Sequence, residues 1–493
     1  MRFLFVFPNA SQAPSHQIGI ALLSSIIREA GHESFLFDGT FLKIDELEEE
    51  FLNEVLRIKP DMIGYSVTST DFKFATSMQE KIDHLGIPAV AGGPHPTLSP
   101  ESCVRGFGKV LVGECEMALP ALLETMESGG NLGEVPNLCF MDQGSVRINP
   151  LAPLVEDMDT LPFPHWKLFD DRHYFENAHL SYAREGAICA AVFERGRGCP
   201  HLCTYCSMPF VRKKYKGLGK WFRLKTVSRL TAEIVAFKAL YPLDYIQFVD
   251  DSFLTSVDDL KELGRQFREH VKADLSISER PEKITSEKMK LFKEAGGYRV
   301  CIGLESGDEP YRKKHLKRHM SNEVLLKAFK EASSAGVEVR ASTMVGLPEQ
   351  DDQSYLKTYD LVGKLDLSEI QYTIFVPFVG TELYDYCIEK GYYDREEGDI
   401  PASFHQGSPL QMPGMSNRKI VRYQKLLYHM QCQWSPVKRN LVKFGGRSET
   451  AFVFIFFFYM VPRILGKNPQ WFKTMGVSGA FKRAFSYYLT KNS

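Results

Sequence analysis

Apolar and polar positions alternate along the amino-terminal third of the chain in the pattern of strands followed by helices. Residues 3–7 form an unbroken apolar run, which is typical of a strand buried on both faces. Further strands are predicted over 33–37, 62–67, 88–91 and 110–112, and helices over 18–30, 44–56, 72–85 and 117–126. This order predicts a doubly wound parallel α/β sheet.

A second series of strands and helices follows a connector over 154–170 that is rich in proline and aspartate. Before the connector, a hairpin is predicted over 135–148, with Gln143 and Gly144 near its turn. After it, six strands are predicted over 188–193, 245–249, 275–278, 299–304, 337–345 and 369–378. The predicted domains are therefore residues 1–130, a hairpin and linker over 131–185, a second α/β domain over 186–395, and a mostly helical extension over 396–493.

The composition is that of an ordinary folded chain. Its length of 493 residues suits two to four domains. Its formal net charge of −1 lacks the excess of basic residues that is typical of nucleic-acid binding. Its ten cysteines are scattered, which does not indicate a disulfide framework. Because Met1 and Arg2 run directly into the first predicted strand, no signal peptide is indicated and a cytoplasmic location is expected.

Three cysteines carry the clearest chemical signal. Cys199, Cys203 and Cys206 lie at x3 and x2 spacing, directly after a turn of arginines and glycines over 195–198. Thiolates select zinc, copper(I) or iron–sulfur clusters, and a closed zinc site would need a fourth ligand that no second CxxC arm supplies nearby. Three thiolates suit a four-iron cubane with one open iron, and a zinc loop is the alternative.

This CxxxCxxC loop, with Tyr205 before its third cysteine, resembles that of radical S-adenosylmethionine (SAM) enzymes. In that family the cysteines bind a [4Fe–4S] cluster whose open iron is chelated by SAM. The reduced cluster cleaves SAM to a 5′-deoxyadenosyl radical. The resemblance implies that the second domain is a partial (β/α)6 TIM-type barrel, supplied with electrons by an external donor such as flavodoxin or ferredoxin.

The ends of the predicted barrel strands supply candidate SAM contacts. The resemblance implies that Asp250 and Asp251 contact the SAM amino group, and a helix cap is the alternative. Arg280 is a candidate to pair with the SAM carboxylate or to hold the barrel mouth. The carboxylate of Glu305 needs a partner, which is either the SAM ribose or a structural pair.

Three further residues complete the predicted SAM site. Arg340 lies on the fifth barrel strand, where a charged side chain suggests an anionic partner such as the SAM carboxylate. Gly346 would let the backbone approach the adenine closely. Tyr205 is expected to give the adenine backbone contacts and apolar cover.

Loops at the carboxyl ends of the amino-terminal strands are the expected ligand site of such a sheet. The stretches over 92–96 and 112–116 resemble segments of the cobalamin-binding domain that precedes the barrel in one large radical SAM subclass. The resemblance implies that residues 1–130 form a Rossmann-like cobalamin-binding domain. Its expected cobalamin contacts include Ser66, Thr68, Gly92, Gly93, Pro94 and Glu114.

The loop after the first strand departs from the wider cobalamin-binding pattern. His16 and Gly19 match the histidine and glycine of a DxHxxG motif, but Pro14 stands in place of the aspartate. A cobalt-ligating imidazole would therefore lack its usual orienting carboxylate. His16 is a candidate cobalt ligand, and a loop histidine beside a Ser15 helix cap is the alternative.

The carboxy-terminal region combines aromatic with basic residues. A helix is predicted over 415–434, and an apolar run with cations on both flanks follows over 451–461. This run is shorter than the ~20 residues needed to span a bilayer. A membrane-surface element, a lid over an apolar substrate and a buried helix on the barrel are the three interpretations.

These resemblances imply a cobalamin-dependent radical SAM enzyme that methylates an unactivated carbon of a hydrophobic or natural-product substrate. One SAM would methylate the cobalamin, and a second would yield the radical. A non-methylating radical SAM enzyme, a relative that has lost cobalamin, and a non-catalytic cluster-binding sensor are the alternatives. The expected partners are a small-molecule or lipid-like substrate and, through the carboxy-terminal region, a membrane surface.

Overall fold

The computed structural model describes residues 1–176, 183–184, 186–394, 400, 404–405, 407–430, 435–456 and 460. This part of the chain contains two larger sheets, one of seven strands and one of six, and a two-stranded ribbon. Helices cover both larger sheets, so the predicted α/β class is confirmed.

The amino-terminal sheet has the strand order β2-β1-β3-β4-β5-β6-β7. Its first five strands run parallel, and the β6–β7 hairpin adds an antiparallel edge to the same sheet. The strands are β1 (Arg2–Phe7), β2 (Glu33–Asp38), β3 (Met62–Ser66), β4 (Ala89–Gly92), β5 (Lys109–Leu111), β6 (Leu138–Asp142) and β7 (Ser145–Ile148).

Apolar side chains on both faces of β1 explain the double winding. Phe3 and Phe5 belong to the core under α1 and α6, whereas Leu4 and Val6 belong to a second core under α2, α3 and α5. These helices are α1 (Ile18–Glu29), α2 (Leu47–Ile58), α3 (Phe72–Ile82), α4 (Pro94–Leu98), α5 (Pro100–Phe107) and α6 (Ala118–Ser128). The proline stretch that sequence patterning treats as a loop starts α4, because proline is favoured in the first helical turn.

The second domain is the predicted six-stranded partial barrel. Its strand order is β15-β14-β13-β12-β11-β8, and all neighbouring strands run parallel. The strands are β8 (Ala190–Phe193), β11 (Tyr245–Phe248), β12 (Asp274–Glu279), β13 (Gly297–Glu305), β14 (Glu338–Val345) and β15 (Glu369–Ile374), and the ribbon pairs β9 (Gly196–Arg197) with β10 (Arg223–Leu224).

Helices connect and cover the barrel strands. They are α7 (Arg172–Phe175), α8 (Met208–Lys214), α9 (Val227–Lys238), α10 (Val257–Gln266), α11 (Ser286–Glu294), α12 (Glu309–His315), α13 (Asn322–Ser334), α14 (Asp352–Val362) and α15 (Glu382–Glu389). On β14, buried Val339 and Ala341 alternate with half-buried Arg340 and Ser342, which is the period of a strand with one helix-covered face.

The connector packs between the two domains. His165 N donates a hydrogen bond to Ala21 O of α1 at 2.9 Å, and the Trp166 ring meets Phe237 of α9 edge-on, with centroids 5.4 Å apart. One continuous hydrophobic core contains residues of β1, the connector and the barrel. The two domains are therefore held in a fixed relation by buried apolar surface.

Three helices form the described carboxy-terminal region: α16 (Asn417–Met430), α17 (Pro436–Arg447) and α18 (Glu449–Ile455). Phe452, Ile455 and Phe456 of the apolar run are buried in the core, as the buried-helix interpretation predicts, whereas Phe454 is 61% exposed. Residues 431–434, 457–459 and 461 of the predicted elements lie outside the described residues. No described helix is long and apolar enough to cross a membrane.

Candidate active site between the domains

The cysteine loop leaves the carboxyl end of the first barrel strand through ribbon strand β9. Gly198, directly before Cys199, has φ +91°, and a Cβ there would come within 2.2 Å of the Trp221 carbonyl oxygen. The indole N–H of Trp221 donates to Cys199 O at 2.8 Å. Only glycine fits this turn, which brings the first cysteine against the other side of the ribbon.

A buried carboxylate holds the start of the cysteine loop. Asp250 accepts hydrogen bonds from Arg195 N at 3.0 Å and Gly196 N at 2.7 Å. Burial raises the pKa of Asp250 to about 7. The neighbouring Asp251 is exposed and lines the cavity described below. Of the two predicted SAM contacts, Asp250 thus already binds the loop backbone, and Asp251 faces open space.

Two of the three cysteine sulfurs accept hydrogen bonds from nearby N–H groups. Arg280 Nη1 donates to Cys203 Sγ at 3.0 Å, and Met208 N donates to Cys206 Sγ at 3.5 Å. Among the described residues, no group of three His, Cys, Asp or Glu side chains could hold one metal ion. Cysteines that bind a cubane each ligate a separate iron, so the donor set and its N–H···S contacts fit a [4Fe–4S] cluster.

A second buried group lies beside the third cysteine. The Tyr205 hydroxyl donates to Glu305 Oε1 at 3.0 Å and accepts from Arg318 Nη1 at 3.2 Å. Arg318 also forms an ion pair with Glu305 at 3.6 Å. Glu305 stands at φ +63°, where a bulge interrupts the pairing of β13 with β14. Its carboxylate therefore has protein partners next to the cysteine loop before any ribose arrives.

Two predicted SAM residues have other neighbours. Arg340 pairs with Glu338 at 3.2 Å and with Glu369, the first residue of β15, at 3.0 Å. These two acids compensate the charge of Arg340 near the amino-terminal end of the barrel. Arg340 therefore does not need the SAM carboxylate as an anionic partner. Gly346 has φ +76°, and a Cβ there would come within 3.0 Å of Ile420 on α16. Packing against a helix thus explains this glycine without an adenine.

A cavity of about 660 Å³ lies between the two domains. Its walls include Gly196, Gly198 and Trp221 from the segments next to the cysteine loop. From the amino-terminal domain, the predicted cobalamin contacts on its walls are His16, Gly19, Ser66, Gly92, Gly93, Pro94 and Glu114. Thr68 is not among them, and its hydroxyl donates a hydrogen bond to Asp71.

His16 is an unusual member of these walls. Its side chain is buried, and among the residues that the structure describes neither ring nitrogen has a hydrogen-bond partner. Its ring meets those of Phe169 and Tyr174 edge-on at centroid distances of 5.9 and 5.2 Å. Burial, reinforced by His173, lowers the pKa of His16 to about 3. A neutral imidazole at a largely apolar cavity fits a bound corrin. The carboxylate of Asp38 does not orient His16, because it is hydrogen-bonded to His173.

An ionic cluster closes the gap between the domains, and sequence reasoning missed most of it. Glu114 pairs with Arg223 at 2.5 Å, and Glu116 pairs with Arg197 at 2.5 Å. Glu114 also lies 3.3 Å from Arg197. Burial alone would raise the pKa of Glu116, but the Arg197 guanidinium holds that pKa below its usual value. The sequence carried a weak signal for this cluster, because Glu114 and Glu116 alternate in one loop and Arg195 and Arg197 alternate before the cysteines.

Tyr215 reinforces this contact. Its hydroxyl accepts hydrogen bonds from Glu114 N at 2.7 Å and Asn137 Nδ2 at 3.4 Å. A Cβ at Gly113 would come within 2.1 Å of that hydroxyl. The loop predicted to contact cobalamin through Glu114 therefore lines the cavity and also docks onto the ribbon that carries the cysteine loop.

Two family models match separate parts of the chain. The model of the B12 binding domain matches residues 9–123, and that of the radical SAM superfamily matches residues 193–362. An uncharacterized methyltransferase of Pyrococcus horikoshii is 25% identical over 401 residues, which cover 79% of this chain and 83% of that protein. The hopanoid C-3 methylase of Methylococcus capsulatus is 25% identical over 472 residues, or 88% and 81% of the two chains.

A solved structure shares the fold. The radical SAM methyltransferase TsrM of Kitasatospora setae, with cobalamin and a [4Fe–4S] cluster bound, superposes with a TM-score of 0.64 at 17% identity, over 79% of this chain and 75% of that one. The predicted order of a B12-binding domain followed by a radical SAM domain is confirmed, and with it the expected cofactors.

Replacing Arg223 with Met should weaken the domain contact. The Arg223 side chain is 2% exposed. Its replacement removes the nearer cation from the Glu114 carboxylate and leaves Arg197, at 3.3 Å. Loss of one partner of a buried ion pair costs about 3–5 kcal/mol, which urea unfolding would measure. The control is Arg147→Met, because the Arg147 side chain is 50% exposed in its ion pair with Asp142. This change should cost less than about 1 kcal/mol. Equal costs would contradict the assignment of a buried clamp.

Burial of His16 predicts a specific pH dependence. Because the pKa of His16 is depressed in the folded protein, the unfolded chain takes up the proton first, and stability is lost as the pH falls below about 6.5. Between pH 7.5 and 5.0 the wild type should lose about 2 kcal/mol more than His16→Phe in urea unfolding of the cofactor-free protein. Parallel losses would show that His16 titrates normally in the folded state.

Proposed function

The chain is a radical SAM enzyme with a B12-binding domain, and we propose that it transfers a methyl group to an unactivated carbon of a small-molecule substrate. The observation that carries this proposal is the cavity that residues of both domains line. It is lined by cobalamin-facing candidates such as His16 and Gly92 and by Gly196 and Gly198, which lead into the cysteine loop. Methyl transfer is also supported by the similarity to relatives that are named as a methyltransferase and a methylase.

When bound, the [4Fe–4S] cluster and SAM supply a radical that activates the substrate, and cobalamin supplies the methyl group. The chain's own task is to hold these groups and exclude water. Cys199, Cys203 and Cys206 would ligate the cluster. The carboxylate of Asp251 faces the cavity and would accept hydrogen bonds from the SAM ammonium.

Tyr205 and Glu305 would complete the SAM site beside the cysteine loop. Their mutual hydrogen bond and the ion pair to Arg318 fix the Glu305 carboxylate, so it can accept ribose hydroxyls without reorganising. Asp250 acts one step away, because it holds the backbone of Arg195 and Gly196 that starts the cysteine loop.

On the amino-terminal side, the loops after β3 and β4 would form one wall for a corrin ring. Gly93 lines this wall; it has φ +103°, and a Cβ there would come within 3.0 Å of Val67 O, so packing against the Val67 backbone accounts for this glycine. Gly92 and Ser66 line the same wall. His16 lines the same cavity as a neutral imidazole, which is the form that could bind cobalt.

The test is to purify the protein anaerobically with hydroxocobalamin supplied, and then to incubate it with SAM and a low-potential reductant. S-adenosylhomocysteine reports methyl transfer from SAM, and 5′-deoxyadenosine reports radical formation. Both should form with the wild type and with Cys139→Ala, a buried cysteine far along the chain from the loop. Neither should form with Cys203→Ala.

Other outcomes separate the alternatives. Formation of 5′-deoxyadenosine alone would replace methylation by cyclisation, carbon–carbon coupling or oxidation. Absence of both products despite a bound cluster would favour a sensor. Replacing the chemical reductant with flavodoxin or ferredoxin tests the expected physiological donor, which should support product formation at a lower concentration.

The substrate is proposed to be hydrophobic and to be met at a membrane surface. On α17, Val437 is 69% exposed and Phe444 is 58% exposed, and the Lys443 ammonium lies 5.9 Å from the Phe444 ring centroid. From Lys438 to the end of the sequence, Glu449 is the only acidic residue. Exposed apolar side chains among cations favour an anionic lipid surface.

Vesicle sedimentation tests this contact. The protein should pellet with phosphatidylcholine vesicles that contain phosphatidylglycerol, less so in high salt, and several-fold less after Val437→Ser with Phe444→Ser. The control is Leu240→Ser, at a leucine that is 46% exposed on the barrel surface. Equal pelleting of the double variant and the control would remove α17 from any membrane contact.

A further inference from the structure

Arg280 reaches the cysteine loop from the end of β12. The residue is 8% exposed, and its Nη1 donates to Cys203 Sγ at 3.0 Å. Cys203 is itself buried. A guanidinium in this position is a charge-assisted donor to a sulfur that would ligate iron.

The guanidinium is fixed from its other side. Arg280 Nη2 and Nε donate to the two carboxylate oxygens of Glu282 at 2.7 and 3.3 Å. The backbone N–H of Arg280 donates to Glu279 Oε1 at 2.8 Å, and Glu279 also accepts from Leu254 N at 2.7 Å. This fork leaves one edge of the planar group directed at the sulfur.

The two charges of this pair lie in different surroundings. The Arg280 side chain is 10% exposed, whereas that of Glu282 is 35% exposed. Water screens the acid more than the cation, so this pair makes a net positive contribution to the potential at Cys203. Hydrogen bonds to the sulfurs and exclusion of solvent are two of the factors that set cluster reduction potentials.

We propose that Arg280 is a positioning residue that raises the reduction potential of the cluster held by Cys203. The inference rests on the cluster binding in the proposed function, and it gives Arg280 a role other than pairing with the SAM carboxylate. The step is the transfer of one electron from a low-potential protein donor to the oxidised cluster. The cluster gains one negative charge, no bond forms or breaks, and the guanidinium stabilises the added charge.

The experiment is an anaerobic redox titration of the reconstituted holoenzyme without substrate, followed by electron paramagnetic resonance of the reduced cluster. Arg280→Gln should lower the midpoint potential. At the potential where half of the wild type is reduced, less than a fifth of the variant should be reduced. Arg280→Lys keeps the charge but lacks the fork, so its reduced fraction should lie between the two.

Lys283→Gln is the matched control, because it removes a cation from the same turn at a residue with no hydrogen bond to Cys203. Its reduced fraction should stay close to that of the wild type. An unchanged potential in Arg280→Gln, or an equal fall in Lys283→Gln, overturns the inference. Weaker SAM binding in Arg280→Gln with an unchanged potential would assign Arg280 to the SAM carboxylate instead.

A second variant tests the proposal in case Arg280→Gln fails to retain the cluster. Glu282→Gln keeps the arginine and removes its opposing charge, so the midpoint potential should rise, and a fall or no change contradicts the inference. Neither readout needs methyl transfer. A wild type that shows these shifts but forms no S-adenosylhomocysteine would contradict the proposed reaction while leaving the role of Arg280 intact.

Discussion

Ion pairs buried between the two domains fix the distance between the cysteine loop and the cavity. Glu114 and Glu116 extend from the sheet of the amino-terminal domain, and Arg197 and Arg223 extend from the two strands of the ribbon. These four charges are mostly shielded from water, with side-chain exposures between 2% and 23%, and such charges are stable only when each keeps its partners. The cysteine loop joins the two ribbon strands, so any movement between the domains that displaced this loop would have to break these pairs.

Backbone groups at the carboxyl edge of the barrel are held by acids in the same way. Asp250 binds the amides that start the cysteine loop, and Glu279 binds those of Leu254 and Arg280. A buried carboxylate that accepts two N–H groups is costly to form and costly to disturb. The backbone at this edge, where the cysteine loop begins, is therefore held in place before any ligand binds.

The sequence predicted what depends on local spacing and missed what depends on distant partners. Strand periodicity located both sheets, and the spacing of the cysteines identified the loop. Gly346 appeared to serve adenine because Ile420 is 74 residues away in the chain. Arg340 was treated as a lone cation although one partner, Glu338, lies two residues before it on the same strand, and only its second partner, Glu369, is 29 residues away. Glu114 was placed at the cavity, but its pairing with Arg223 follows only from the contact between the domains.

Pulsed electron paramagnetic resonance of the holoenzyme tests whether cobalamin bound in the cavity lies beside the cluster held by the cysteine loop. With cob(II)alamin and a reduced cluster, we expect a dipolar coupling between the two centres that is absent from Cys203→Ala. Two signals that each behave as in isolation, with both cofactors bound at full occupancy, would contradict this arrangement.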